Sequence, residues 1–577
     1  KSVLDESDII YMILTDRFYD SDSSNNGTLG VEYRPGELKY TQGGDWNGIT
    51  QKLDYIKDLG VTAIWISPPS ENELLSRDGE ESGYHGYFTH NYNSADPHYG
   101  TKEDLINLVS TAHEKGLKVI LDVVPNHTAD YFNGSSSTYD SDSYQPAAPF
   151  NNPDWYHHFG DITDWSDENQ VLNYDLGGLD DLNQDNPDAR QAIKDAYKAW
   201  VEDTGADGVR IDAARSLPKD FIQEFENYLG VPSFGEIFVG DVDYVSDFSN
   251  YEWGVLDFPL FFQAREVFAH DASFTTVKSI FDQDSKYNDV NHLVTFIDNH
   301  DRDRFLCLAD DNYQKLRLAL TFIFTVRGIP DVYYGTEQNC YGGGVPTEWA
   351  GIANKENREV MPGFDEDGIT FKYIQRLTEL RKEYACLQTG TQREMWAEDN
   401  IYAFSRRDDS NGQEIISVFN NGTSNETRAI PLRAESSLAV GTTLTNLLDT
   451  SVTATVEAGG ITGKVLNLTI PAKTAWVFTS DNVADYAPPA RTVTTIRVHY
   501  DVGLGNTMYL RGSDYPLTWD SGRSMLNVSS DVWVYETERI GKGESFELKP
   551  LINDTTWSSG NNYTVVGGET IDIYPNF

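Results

Sequence analysis

An α/β architecture is predicted here: a (β/α)8 TIM barrel with an inserted subdomain after strand 3, followed by two all-β sandwich domains. Three observations predict it. First, eight short β-rich runs alternate with helical patterns up to about residue 385. Second, one connection is far too long. Third, the pattern turns all-β after residue 385.

The β-rich runs are IIYMIL (9–14), VTAIWIS (61–67), KVILDVV (118–124), DGVRID (207–212), SFGEIF (233–238), WGVLDF (253–258), HLVTFID (292–298) and PDVYYG (330–335). ITQKLDYIKDLG and KEDLINLVSTAHEKG read as helices between them. The second places Leu105, Ile106, Leu108, Val109 and Ala112 on an apolar face and stops at Gly116. About 80 residues separate the third run from the fourth, rich in Ser, Asn, Asp, Pro and aromatics. A structureless loop of that length is improbable in a compact domain. The expected domains are therefore a barrel over 1–127 and 191–385, a subdomain over 128–190 and a β-sandwich over 386–480. A linker over 481–492 and a second sandwich over 493–577 complete the chain.

Composition narrows the function. Ninety-one acidic residues stand against 44 Lys and Arg, a formal charge of −47. Such a surface repels a nucleic-acid backbone, so no nucleic-acid partner is expected. No run of about 18 apolar residues occurs, so no membrane span is expected. The chain opens without a basic-then-apolar leader, and the expectation is a secreted monomer whose signal peptide is already removed. Cys307, Cys340 and Cys386 are widely spaced and odd in number, which suits three core thiols, with one bridge left open.

GVRIDAARS (208–216) poses the functional question. Period-two alternation puts Arg210 and Asp212 on the face opposite Val209 and Ile211, where a barrel is normally filled. Chemistry in such barrels sits at the C-terminal strand ends. Asp212 closes the fourth strand, Glu236 the fifth, and Asp301 follows the seventh, with His127 and His300 beside them. Each acid alone reads as a helix cap. Together, three acids and two imidazoles around one cavity are costly unless used. Convergent carboxylates suit glycosidic cleavage: one protonated acid, one ionised nucleophile or base. Arg210 would keep Asp212 anionic by charge pairing.

DVVPNH (122–127), GVRIDAARS (208–216), FGEIF (234–238) and FIDNHD (296–301), in that order, resemble the four main motifs of the α-amylase family of glycoside hydrolases. GIPDVYYGTEQ (328–338) and LDDLN (179–183) resemble two further ones, and the likeness runs over about residues 8–480. YMILTDRFYDSDSSNN, GGDWNGI, VTAIWISPPSEN and YHGYF look most like the cyclodextrin glucanotransferase and maltogenic amylase branch. The resemblance implies that Asp212 is the nucleophile of a retaining double displacement, Glu236 the general acid/base and Asp301 the residue that steadies the distorted sugar. It implies further that His127, His300 and Arg210 bind the same ring, that His85 hydrogen-bonds it and that Tyr87 stacks on it. Phe238 and Trp165 match acceptor-side aromatics, with a core aromatic as the lesser alternative for either, and Arg358 matches a donor-side arginine.

Two departures stand out. Arg215-Ser216 replaces the family's Lys-His, and a guanidinium is not a point charge. Gly177 stands where cyclising relatives carry an aromatic, with Tyr174 a possible substitute. Hydrolysis is therefore favoured over cyclisation. The expected function is a retaining α-glucan hydrolase acting on α-1,4 bonds of starch and maltooligosaccharides. A cyclodextrin glucanotransferase or other transglycosylase is the alternative, and an inactive glucan-binding protein the remote one.

The resemblance also implies calcium. DSDSSNN supplies Asp20, Asp22, Asn25 and Asn26, and GGD adds Asp45 and the Gly43 carbonyl, hard oxygen donors that suit Ca2+. Alone, such a run reads as a solvated turn; its likeness to a glucanotransferase calcium loop carries the expectation. A second site would use Asn126, Asp181 and the Ser216 carbonyl. The final module loosely resembles starch-binding sandwiches, with Trp557 and Trp519 as sugar platforms or, equally, core tryptophans.

Overall fold

The computed structural model describes residues 3–141, 144–342 and 354–577. Eight parallel strands close a barrel: β1 (Ile10–Ile13), β2 (Ala63–Ile66), β3 (Lys118–Val123), β4 (Gly208–Ile211), β5 (Ser233–Gly235), β6 (Gly254–Leu256), β7 (Leu293–Thr295) and β8 (Ile329–Tyr333). Each pairs with its sequence neighbours, and β1 pairs with β8. All eight expected runs are strands, and apolar alternation explains why: Val209 and Ile211, for example, are fully buried.

The helices follow their local signals. Lys102–Glu114 begins at a capping box, Thr101 with Asp104, and ends before Gly116 at φ +80°. Its buried face is Leu105, Leu108, Val109 and Ala112. Ile106, expected on that face, is 36% exposed, because it is one residue out of phase with Leu105 and Leu108. The expected helix over ITQKLDYIKDLG is two helices, Trp46–Gln51 and Leu53–Leu59, meeting at Lys52. Pro187–Thr204 starts under an Asn186 cap with Pro in its first turn, so the barrel resumes before residue 191.

Within the same compact unit, a six-stranded and a three-stranded sheet lie between Thr391 and Thr479 and enclose Ile401, Ile416, Val418, Leu466 and Phe478. A second unit, Ala309–Gln314 with Pro488–Phe577, has four- and five-stranded sheets around Ile496, Val498, Leu510 and Leu548. The division falls inside the expected linker, whose residues lack regular structure. Cys307, Cys340 and Cys386 are buried. Among the described residues, no helix is long and apolar enough to cross a membrane.

Candidate active site

The barrel register builds the site. Asp122 on β3 lies beside Arg210 on β4, and Arg210 beside Phe234 on β5. The ladder then runs one residue past the strands: Asp212 N–H donates to Val123 O and Glu236 N–H to Ile211 O, both at 2.9 Å. Asp212 and Glu236 are thereby fixed on adjacent strands at the barrel mouth. The turn that follows is strained, with Ala213 at φ +48°, and its N–H donates to Glu236 Oε2 at 3.2 Å.

Arg210 is the hub. One terminal nitrogen bonds Asp122 Oδ1 at 2.9 Å and Asp212 Oδ1 at 2.8 Å; the other lies 2.8 Å from Glu236 Oε1. The guanidinium is buried beneath Trp65 and Tyr87. A buried cation needs this company, since removing one partner of a buried ion pair costs about 3–5 kcal/mol. The pairing expected between Arg210 and Asp212 is therefore part of a larger cluster. Asp122 escaped the sequence reading, although it points inward from β3 by the same alternation that singled out Arg210.

Asp301 completes the triad from the far side. Its Oδ1 accepts from Arg358 at 3.0 Å, and its Oδ2 lies 3.2 Å from His300 Nε2. Asn357 and Arg358 both donate to the His300 carbonyl, at 2.7 and 2.8 Å. Tyr87 OH donates to Asp122 Oδ2 at 2.8 Å and lies 3.0 Å from His300 Nε2. The Tyr87 ring is stacked with His85 and His300, at centroid distances of 5.5 and 5.4 Å. His85 Nδ1 accepts from the Tyr87 N–H, so its proton sits on Nε2. His127 Nε2 is 3.8 Å from Asp212 Oδ2 and buried, without a hydrogen-bond partner among the described residues.

Electrostatics separate the acids. Burial pushes Glu236 up to about 8; Arg210 opposes the shift, and Asp212 and Asp301 add to it. Burial also works against ionisation of Asp301, but His300, Arg358, Arg210 and Lys355 outweigh it and hold the carboxyl down to about 2. Burial keeps His85, His127 and His300 neutral, His300 down to about 3. The site thus contains a proton donor and an ionised carboxylate at neutral pH, the pairing of roles that acid–base chemistry requires.

Three hollows share walls along this mouth. A charged one of about 250 Å3 is lined by His85, Tyr87, His127, Asp212, Glu236, His300, Asp301 and Arg358, together with Glu81 and Lys355. An aromatic one of about 540 Å3 shares Glu236, Asp301 and Leu176 with it, and adds Trp165, Phe238, Arg215 and Ser216. A third, about 420 Å3, shares Phe88 and Leu179 with the first and includes Arg77, Asp130 and Gly177. Phe238 and Trp165 are thus cleft residues, and Trp165 is exposed. Arg215 donates to the Trp165 carbonyl at 2.8 Å and stacks on its ring at 5.1 Å.

Tyr174, the candidate substitute for the missing ring, is paired with another aromatic. It stacks on Phe159 at 5.3 Å, while Leu176 lines both central hollows. Glu81 and Lys355, paired at 3.0 Å, also went unread, because their loops are far apart in sequence.

The oxygen clusters can be tested for a cation. Asn126 Oδ1 and Asp181 Oδ1 are buried and lack donors, with Ser216 also buried. Burial pushes the Asp181 carboxyl well above its usual range, which a bound cation would relieve. In the N-terminal loop, Asn25 Oδ1 and Asn26 Oδ1 are likewise buried without donors, and Asn26 packs against Gly43 at φ +98°. Asp20 Oδ2 accepts from Asn26 at 2.7 Å. Asp45 caps the Trp46–Gln51 helix, and its oxygens also accept from Ser21 and Asp22. Asp20 and Asp22 are both exposed, and Asp22 Oδ1 accepts from Ser24. Both sets offer the oxygen donors a hard cation takes.

In the second unit, Trp519 and Trp557 are 37% and 43% exposed, with centroids 6.4 Å apart. They form a surface and not a core.

The sequence model for the α-amylase catalytic domain matches residues 12–367. The chain belongs to the α-amylase family. A β/α-amylase of Paenibacillus polymyxa is 39% identical over 82% of this chain, although the match spans only 37% of that protein. A cyclomaltodextrin glucanotransferase of Bacillus sp. (strain 38-2) is 31% identical over 97% of this chain and 83% of its own length. Among solved structures, CldA, described as a cyclomaltodextrin glucanotransferase with a three-domain ABC distribution, aligns with TM-score 0.73 at 32% identity. The alignment covers 82% of this chain and 99% of that one. The α-amylase of Geobacillus thermoleovorans, solved with acarbose, aligns with TM-score 0.69 at 31% identity over 83% of this chain and 98% of its own. Family membership makes this a glycoside hydrolase or transglycosylase of the α-amylase type.

Proposed function

We propose that the protein is a retaining α-glucan hydrolase that cleaves α-1,4 bonds of starch and maltooligosaccharides. One observation carries this: Asp212 and Glu236 are both bound by a single Arg210 guanidinium, each at 2.8 Å. That arrangement favours the short carboxylate spacing of retaining enzymes, about 5–5.5 Å. Asp212 Oδ2 attacks the anomeric carbon while Glu236, protonated, gives its proton to the departing glycosidic oxygen. The C–O bond breaks, and the sugar remains as an ester of Asp212. Glu236, now a carboxylate, takes a proton from water; the hydroxide oxygen displaces Asp212, and both groups return to their starting states. Asp301, held ionised, accepts from the hydroxyls of the flattened, cationic ring, and His127 Nε2 is a ready donor to it. The charged hollow is read as the donor side, the aromatic one as the acceptor side.

Transfer to a sugar acceptor is the second reading, supported by the glucanotransferase relatives. Hydrolysis is preferred because Gly177 stands where cyclising relatives carry an aromatic ring, and Leu176 beside it lines the central hollows. Incubation with soluble starch, followed by chromatography of products over time, decides between them. New reducing ends and linear oligosaccharides are expected. Cyclic products, or transfer without new reducing ends, would reject hydrolysis, and inactivity on every α-glucan would favour a binding protein.

Calcium is part of the proposal. Asn126, Asp181 and the Ser216 carbonyl would hold one ion; Asp20, Asn25, Asn26, Asp45 and the Gly43 carbonyl would hold another. The ion would supply charge neutralisation for buried oxygens and a link between the inserted subdomain and the barrel. Chelation should lower Tm by several degrees, and calcium should restore it; an unchanged Tm would remove the metal from the proposal. The Trp519–Trp557 surface suits stacking on the apolar faces of glucose. Trp557→Ala should reduce adsorption to granular starch about tenfold and leave turnover of soluble maltooligosaccharides unchanged. Starch granules do not enter cells, so the proposal includes action outside the cell.

A further inference from the structure

Glu252 has no role in the mechanism above, yet it lies directly behind it. It is 5% exposed, just ahead of β6, and both of its carboxyl oxygens lack a hydrogen-bond partner. Its carboxyl fills the space a side chain at Gly235 would need: a Cβ there would lie 2.3 Å from Oε1 and 2.7 Å from Oε2. The same Cβ would meet Ala214 at 2.8 Å. Gly235 immediately precedes Glu236, and Ala214 is two residues past Asp212. One carboxyl group therefore wedges against the chain segment that carries Glu236, at the point where that segment passes Ala214.

Its surroundings require the neutral form. The charged group facing it is Glu226, another acid. Glu226 Oε2 accepts from Ser233 N–H at 2.9 Å, Ser233 Oγ at 2.5 Å and Trp253 N–H at 2.8 Å. Ser233 Oγ has spent its proton on Glu226, so its lone pairs can accept one from Glu252. An ionised Glu252 would be a buried charge beside a second carboxyl group, with the neighbouring Ser233 hydroxyl already engaged by Glu226. Burial, reinforced by Glu226, raises its pKa well above the ordinary range.

We propose that the Glu252 carboxyl is a positioning group, a neutral wedge that sets the height of Glu236 at the end of β5 through Ser233 and Gly235. This rests on the proposed role of Glu236. Two variants test it, each checked for folding by circular dichroism. Glu252→Gln keeps shape, neutrality and a donor, so kcat on soluble starch should stay within about twofold of wild type. Glu252→Ala opens the wedge, so kcat should fall about tenfold while KM changes less than about twofold. The Tm comparison fixes the protonation state. An acid whose pKa rises on folding loses stability as pH climbs above its unfolded value of about 4.3, and glutamine does not titrate. The Tm advantage of Glu252→Gln should therefore be larger at pH 8 than at pH 4.5. Wild-type kcat in the alanine variant, equal impairment in both variants, or a Tm difference that ignores pH would each overturn the proposal. The Tm measurement needs no turnover, so a chain inactive on starch would defeat the proposed function and leave this test standing.

Discussion

The charged and the aromatic hollow share Glu236, Asp301 and Leu176, yet they are built on different principles. The charged one is tightly bonded: Arg210 to Asp212, Tyr87 to Asp122, Arg358 to Asp301 and His300 to Asp301 lie at 2.8–3.2 Å. The aromatic one presents Phe238 and Trp165 held mainly by ring packing, Phe238 against Phe258 at 4.6 Å and Trp165 under Arg215 at 5.1 Å, with Arg215 also bonded to the Trp165 carbonyl. Preorganised charge lowers a barrier only when it cannot relax, whereas stacking on a sugar face tolerates a range of poses. The difference teaches that chemistry and recognition are divided between neighbouring compartments, with Glu236 on the border.

The largest effect should come from the charged side. Asp212→Asn should reduce release of reducing ends at least about a thousandfold, with folding unchanged. An active variant would remove the distinction altogether. The same compartment sets the pH profile. Glu236 must be protonated to act as the acid, and it loses its proton near pH 8. Activity should therefore fall as pH rises through about 8, and the residual activity of Glu236→Gln should lack that alkaline limb. On the aromatic side, Phe238→Ala should raise KM about three- to tenfold with little change in kcat, the worth of one stacked ring. A collapse of kcat instead would show that Phe238 shapes the chemistry. The smallest effect is expected of Arg215→Lys. Charge is kept but the planar fork is lost, so transfer to added maltose should change about twofold and hydrolysis less.

The proposed calcium ligands and the aromatic positions were legible only through likeness to known motifs, since a run such as DSDSSNN reads alone as a turn. The structure then separated Asp20 and Asp22, which face solvent, from the buried side-chain oxygens of Asn25 and Asn26. Asp122 was legible in principle, because β3 alternates as β4 does. Tyr174 against Leu176 was not, because two residues of loop decide which side chain reaches the cleft. Trp519 and Trp557 likewise read as core or surface until the sheets placed them.

By itself the sequence determined the eight strands, their order and the three acids at their ends, because periodicity and strand–turn chemistry are local properties of the chain. Only the tertiary structure decided that one guanidinium would bind both Asp212 and Glu236, that Glu81 would meet Lys355, and that Glu252 would occupy the space beside Gly235. Those facts depend on barrel register and loop closure, which bring together residues that no local pattern connects.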